Sequence, residues 1–352
     1  MHESIPMKDI QIGNYKVGSQ HKPFIIAEMS GNHNQSLDKA LAIVDAAADA
    51  GAHAIKLQTY TPDTMTLLGA HTIEDADSLW RGRELYDLYQ EAHTPWDWHA
   101  TIFKRAAEKN LLAFSSPFDE TAVDFLESLN VPCYKIASFE NTDIPLLKKV
   151  AATGKPVIMS TGVATLADID EGVRTLRAHG CTDLILLKCT STYPATPENT
   201  NLRTIPHLAQ LFNCTVGLSD HTMGIGASVA AVALGASVIE KHFTISRAEG
   251  GVDAAFSLEP QELKALIEES ERAFLALGNI QYGVQKAEQK SLFFKRSLYV
   301  SKDIRSGEAF SKENIRVIRP GNGLAPKYYD EVLGKIAKTD IKTGTPLTWD
   351  LL

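Results

Sequence analysis

Two stretches decide the fold: Val216-Gly217-Leu218-Ser219-Asp220-His221-Thr222 and its echo, Val238-Ile239-Glu240-Lys241-His242-Phe243-Thr244. Each is a short apolar run that ends in polar residues, and the Gly/Ala-rich segment from Met223 to Ala236 between them has helical spacing. The pattern is strand, helix, strand. A single helical crossover makes the two strands parallel and brings both C-terminal ends to one side of a sheet, so His221 and His242 come within reach of one ion. Two imidazoles that leave positions open for water and substrate suit a catalytic Mn, Co, Zn or Fe ion better than a closed structural site. The plainer alternative is a pair of histidines hydrogen-bonded at strand ends.

The same alternation runs through most of the chain. From Pro23 onward, Val/Ile/Leu-rich runs at Phe24–Glu28, Ala54–Thr59, Leu112–Ser115, Cys133–Ala137, Pro156–Ser160, Leu184–Cys189, Thr215–Leu218 and Ser237–Lys241 alternate with amphipathic segments. Helices are expected at Leu37–Ala50, Pro95–Lys109, Glu120–Leu129, Leu146–Ala152, Leu166–His179, Ile225–Leu234 and Gln261–Leu277. About eight such units close an α/β barrel of the (β/α)8 TIM type. Residues 1–22 read as an N-terminal extension whose hairpin, turning at Gly13-Asn14, plugs one end of the barrel. Residues 23–280 form the barrel, 281–292 a polar linker and 293–352 a small β-rich domain. In that last domain Asp303-Ile304-Arg305-Ser306-Gly307-Glu308 recurs as Asp340-Ile341-Lys342-Thr343-Gly344-Thr345, which suggests two similar turn units. The segment from Tyr60 to His93 is too long for a simple connection. It is either a wall of a substrate pocket or a packing helix.

At 44% hydrophobic residues the chain can bury a large core. Its formal charge of -8, with no long Lys/Arg block, argues against nucleic acid or an anionic membrane as partner. No run is apolar enough to span a bilayer and Met1 to Asp9 carries no secretion pattern, so the cytoplasm is the expected compartment. Cys133, Cys181, Cys189 and Cys214 lack CxxC spacing and suit reduced, buried thiols.

Chemistry in such a barrel sits where the strands end. Lys56 and Gln58, two apart, share one face of the second strand. Lys56 and Lys135 pointing inward would need a negative partner, either an anionic ligand or a carboxylate such as Glu28 or Glu140. Ser116, Ser138, Ser160 and Ser219 add hydroxyls around the same mouth. Lysines and hydroxyls without a glycine-rich loop suit a phosphate and a carboxylate held by side chains. A Schiff-base lysine is a second possibility. A carbohydrate- or ice-binding protein that uses the small domain is a third.

Ile25-Ile26-Ala27-Glu28 with Asn32-His33-Asn34, Lys56-Leu57-Gln58-Thr59, Ser116-Pro117-Phe118, Tyr134 to Ser138, Ser160-Thr161-Gly162, Gly217 to Thr222 and Glu240 to Phe243 together resemble the sialic acid synthase family. The tail, with Asp303-Ile304, Gly307-Glu308 and Arg319-Pro320-Gly321-Asn322-Gly323, resembles that family's antifreeze-like (SAF) domain. The resemblance implies condensation of phosphoenolpyruvate with an open-chain amino sugar, a divalent metal (Mn2+, Mg2+ or Co2+) and a domain-swapped homodimer. It casts His221 and His242 as metal ligands and Lys56, Ser116, Lys135, Ser138, Ser160 and Ser219 as the phosphoenolpyruvate cradle. Glu28 is cast to orient the aldehyde or water, or to act as acid/base. Gln58, Phe118, Glu140, Tyr193 and Asp253 fall to the sugar, with Arg319 reaching it from a partner. Leu79-Trp80 through Leu85-Tyr86, Ala137 to Glu140, Leu187 to Pro194 and Phe256 to Leu258 resemble the branch that makes pseudaminic acid from 2,4-diacetamido-2,4,6-trideoxy-L-altrose. Lys188 and Ser191 stand where N-acetylneuraminate synthases tend to have His and Asn, which places both at the sugar end. N-acetylmannosamine or 2,4-diacetamido-2,4,6-trideoxymannose is the alternative acceptor, leading to N-acetylneuraminic or legionaminic acid.

Overall fold

Eight strands, β3 (Phe24–Glu28), β4 (Ala54–Thr59), β5 (Leu112–Pro117), β6 (Tyr134–Ile136), β7 (Val157–Ser160), β8 (Leu184–Cys189), β9 (Thr215–Asp220) and β10 (Val238–His242), close a parallel barrel in chain order, with β10 pairing β3. The computed structural model describes residues 8–75 and 78–352; residues 1–7, part of the expected N-terminal extension, lie outside the described residues. The chain divides into two compact units, Met1–Gly278 and Asn279–Leu352. Helices cover the outside of the barrel and side chains fill its inside, so a strand such as β10 is buried along its whole length and reads as a continuous apolar run rather than an alternating one.

Before the barrel, β1 (Ile10–Ile12) and β2 (Tyr15–Val17) pair as an antiparallel hairpin. Ile10, Ile12 and Val17 are buried in the barrel core. Tyr15 packs edge-on to Phe24 and His53, and a Cβ on Gly13, at φ +55°, would lie 2.7 Å from Leu112 Cδ2. These neighbours stand at or just before the starts of β3, β4 and β5, so the hairpin seals the N-terminal end of the barrel and leaves the C-terminal end as the mouth.

The helices of the first unit are α1 (Leu37–Ala50), α2 (Pro62–Met65), α3 (Leu85–Ala92), α4 (Trp96–Glu108), α5 (Glu120–Ser128), α6 (Ile144–Ala151), α7 (Leu166–Ala178), α8 (Pro197–Thr200), α9 (Thr204–Phe212), α10 (Gly226–Ala233) and α11 (Pro260–Leu277). Local chemistry sets their starts. Ser36 and Asp119 accept backbone N–H bonds at the N-termini of α1 and α5, and Thr165 with Asp168 forms a reciprocal capping box on α7. Helix α9 was not expected from the sequence: Pro206 reads as a breaker, but it falls in the first turn, where no intrahelical N–H bond is lost.

The second unit has its own small core, formed by Leu298, Val300, Ile304, Phe310, Ile315, Val332, Ala337, Ile341 and Leu347. Strands β11 (Ser297–Val300) and β12 (Ile315–Ile318) pair antiparallel. The two echoed turns clasp each other: Ile304 bridges Ile341, Asp303 accepts the Thr343 N–H at 2.8 Å, and Asp340 accepts the Ser306 N–H at 2.8 Å.

Candidate active site

The alternation of side chains along each strand decides which polar groups enter the barrel. Glu28, Lys56, Ser116, Lys135, Ser160, Ser219 and Glu240 all point inward and are buried. Lys56 Nζ lies 2.5 Å from Glu28 Oε2 and donates to Ser116 Oγ at 3.3 Å. Lys135 Nζ donates to Ser160 Oγ at 2.6 Å. Glu240 takes a hydrogen bond from Ser219 at 2.8 Å and sits 3.8 Å from each lysine. The lysines therefore meet their counter-charges in Glu28 and Glu240, not Glu140, and their burial alone does not demand an anionic ligand. Burial would depress both ammonium groups; Glu240 and Glu28 outweigh it at Lys56, which is raised, while Lys135 stays lowered. Burial, reinforced by Glu240, pushes the Glu28 carboxyl up, and Lys135 and Lys56 hold Glu240 down against its own burial.

Above this cluster, His221 and His242 face each other with ring centres 5.3 Å apart. His221 Nδ1 is 3.0 Å from the Thr190 carbonyl, so that nitrogen carries a proton. Burial pulls the imidazole down, but the neighbouring Cys189 outweighs it and holds it above its ordinary range, and only in its neutral form is Nε2 free to bind an ion. His242 Nδ1 is buried with no hydrogen-bond partner, and burial followed by the nearby His221 keeps this imidazole neutral. A neutral, unpartnered ring nitrogen beside a second imidazole fits a metal ligand pair. Among the described residues no group of three or more His, Cys, Asp or Glu converges on one point, and an ion held here would have only the two imidazoles and open positions.

Over the histidines opens a cavity of about 350 Å3. Gln58, Phe118, Ser138, Glu140, Tyr193, His242 and Asp253 line it, which gathers most of the residues expected at the sugar. Gln58 donates to Glu28 at 3.0 Å, Asp253 accepts from Ser30, and the Tyr193 ring lies 4.5 Å from His221. Burial raises the Glu140 carboxyl to about 7. The opposite wall comes from the 60–93 segment: Met65, Ile73, Trp80, Leu85, Leu88 and Tyr89. Sequence reasoning singled out this segment as a possible pocket wall but named none of its aliphatic side chains as site residues. It also passed over Ser30 and Cys189, whose thiol is 3.9 Å from His221 Nδ1.

Two expected sugar residues stand elsewhere. Lys188 alternates with inward-facing Cys189, so its ammonium turns away and binds the Cys189 carbonyl at 3.2 Å and Thr190 Oγ1 at 2.5 Å; it does not line the cavity. Ser191 packs on Gly162, where a Cβ would lie 2.1 Å from Ser191 Oγ and 2.6 Å from Ser138 Oγ. That puts it beside the strand-end serines rather than at the apolar wall. Arg319 belongs to the second unit, just after β12. All four cysteines are free and buried, and no helix among the described residues is long and apolar enough to cross a membrane.

Residues 43–282 match the NeuB family and residues 295–352 the SAF domain. The chain is 46% identical to a pseudaminic acid synthase of Campylobacter jejuni, over 96% of this chain and 98% of that protein. It is 44% identical to a pseudaminic acid synthase of Helicobacter pylori, over 93% and 97% of the two chains. A solved N-acetylneuraminic acid synthetase from Leptospira borgpetersenii superposes with a TM-score of 0.74 at 35% identity, covering 82% of this chain and 96% of that one.

Proposed function

This chain belongs to the NeuB family, and from that premise we propose that it condenses phosphoenolpyruvate with 2,4-diacetamido-2,4,6-trideoxy-L-altrose to give pseudaminic acid and phosphate. The observation that carries this reading is vertical order. A floor of buried ammonium groups, a pair of imidazoles and a cavity with a hydrocarbon wall are stacked along one barrel mouth.

Lys56 and Lys135, with the hydroxyls of Ser116, Ser138, Ser160 and Ser219, hold the phosphate and carboxylate of phosphoenolpyruvate. Their charge offsets the negative charge that grows on the departing phosphate. Synthases of this family are generally metal-dependent. His221 and His242 would hold the ion, which when bound supplies Lewis-acid polarisation of the acceptor aldehyde. The C3 carbon of the enol attacks the aldehyde carbon, water adds at C2, and the tetrahedral intermediate collapses by breaking its C–O bond to phosphate. Glu28, held by Gln58 and with its carboxyl raised, orients the aldehyde or the water and is suited to moving a proton. Glu140, Tyr193, Asp253, Gln58 and Phe118 contact the acceptor. The aliphatic part of that wall, Met65, Ile73, Leu85 and Leu88, favours an acceptor that carries a C6 methyl, because a hydroxyl set against those side chains finds no partner on them. Arg319 is assigned to the sugar site of a partner copy in a domain-swapped homodimer, and the compartment to the cytoplasm, which suits four unpaired buried cysteines.

The test is phosphate release with phosphoenolpyruvate and either the altrose-derived sugar or N-acetylmannosamine, with and without a chelator. The altrose derivative is expected to turn over faster and EDTA to stop the reaction. Arg319→Ala is expected to raise acceptor KM in a sample that sediments as a dimer. Equal or faster turnover of N-acetylmannosamine would defeat the acceptor assignment.

A further inference from the structure

On the outer face of β9 and β10, behind the wall that carries the histidines, lies a second buried ion pair that the reaction does not use. Lys241 Nζ is 2.9 Å from Asp220 Oδ2, and their side chains are 1% and 0% exposed. The two residues are direct partners in strand register. Asp220 Oδ1 accepts the Thr222 N–H at 2.8 Å and its hydroxyl at 2.7 Å, while Oδ2 also accepts the Ser228 hydroxyl at 2.6 Å from α10. Lys241 donates in addition to the Thr222 carbonyl. Both residues flanking His221 are thus tied into one knot, and that knot is anchored on the residue next to His242.

We propose that Asp220 and Lys241, with Ser228, are positioning residues that set the spacing of His221 and His242 and so fix the affinity of the imidazole pair for a divalent cation. The inference rests on the reading of that pair as the metal site. A buried ion pair is a poor device for stability alone, since well-packed hydrocarbon in its place is often as good. Hydrogen-bonded supports behind metal ligands, in contrast, hold ligand geometry and commonly alter affinity by about 10- to 100-fold when removed. Here the support acts through the backbone of the ligands, from the side of the sheet that no substrate reaches.

The test is a Mn2+ titration of the chelator-stripped full-length chain without substrates, with free Mn2+ followed by electron paramagnetic resonance. His221→Ala and His242→Ala are expected to abolish binding. The Asp220→Asn/Lys241→Met double variant, shown to be folded by circular dichroism, is expected to bind Mn2+ about 10- to 100-fold more weakly. Ser228→Ala, which leaves both charges in place, is expected to weaken binding by about threefold, a smaller share of the same support. Wild-type affinity in the folded double variant would overturn the clamp. Should the double variant fail to fold, Ser228→Ala decides: weaker binding supports the clamp and wild-type affinity overturns it. Histidine variants that still bind Mn2+ as tightly as wild type would sink the metal reading itself, and the clamp with it.

Discussion

Strand β10 carries opposite charges on successive residues, and the two faces treat them differently. Inside, Glu240 has one hydrogen bond from Ser219, two lysines at 3.8 Å and a buried Oε2 with no hydrogen-bond partner. Outside, Lys241 and Asp220 are paired at 2.9 Å, and both carboxylate oxygens accept hydrogen bonds. His242 Nδ1 and Glu140 Oε2, also left without partners, stand on the inner side with Glu240. Burial is equal on the two faces, so burial does not tell function from architecture. Unfilled hydrogen-bonding capacity separates them better: Ser270 on α11 also lacks a partner, but Glu28, Glu140, Glu240 and His242 gather such atoms at the mouth, and a fold that carries this cost repeatedly in one place leaves room there for a ligand.

The strongest way to break this comparison is to remove one charge from each face. Lys135→Met is expected to lower phosphate release by about 10^3-fold, the scale of losing a group that stabilises transition-state charge. Its stability should fall modestly, since Glu240 keeps Lys56. Lys241→Met leaves Asp220 buried and unpaired, which costs roughly 3–5 kcal/mol. Urea unfolding of the two variants checks this, and an equal loss of stability in both would erase the distinction between the faces.

Glu140 sharpens the comparison at the cavity rim. Burial lifts its carboxyl from the ordinary 4.5 to about 7, so the folded protein binds this proton more tightly than the unfolded chain does. Between those two values, stability contributed by the neutral form is lost as pH rises. Glu140→Gln is therefore expected to gain stability relative to wild type across that window, on the order of 3 kcal/mol by pH 8. Thermal unfolding at pH 4.5 and pH 8 would show a constant difference if the carboxyl were not held neutral. The smallest effect belongs to the apolar wall. Leu85→Asn gives a C6 hydroxyl a partner, and the preference for the 6-deoxy acceptor, measured as the ratio of kcat/KM values, is expected to fall about tenfold. An unchanged ratio would remove the wall from acceptor selection.

The barrel was legible because eight apolar runs with turn signals between them admit few arrangements, and strand bounds at β3, β4 and β8 agree with those read from composition. The histidine pair was legible for the same reason: one crossover separates His221 from His242. Glu240 as counter-ion to Lys56 was not, since β3 stands between β10 and β4 and only barrel closure brings the two side chains together. Lys188 was placed at the sugar end by the resemblance, and its alternation with inward-facing Cys189 turns its ammonium away from the cavity. The aliphatic wall was hidden for another reason: short helices such as α2 and α3 have too few turns for periodicity to say which side chains face inward.

The hairpin that stoppers the barrel has a consequence for traffic. With Ile10, Ile12 and Val17 filling the far end, ligands come and go through the mouth, and Lys56 lies one inward position deeper than Gln58 of the cavity lining. On the proposed function, phosphoenolpyruvate bound to the lysines is expected to arrive before the acceptor that fills the space above, so that a dead-end shaft imposes the order of addition.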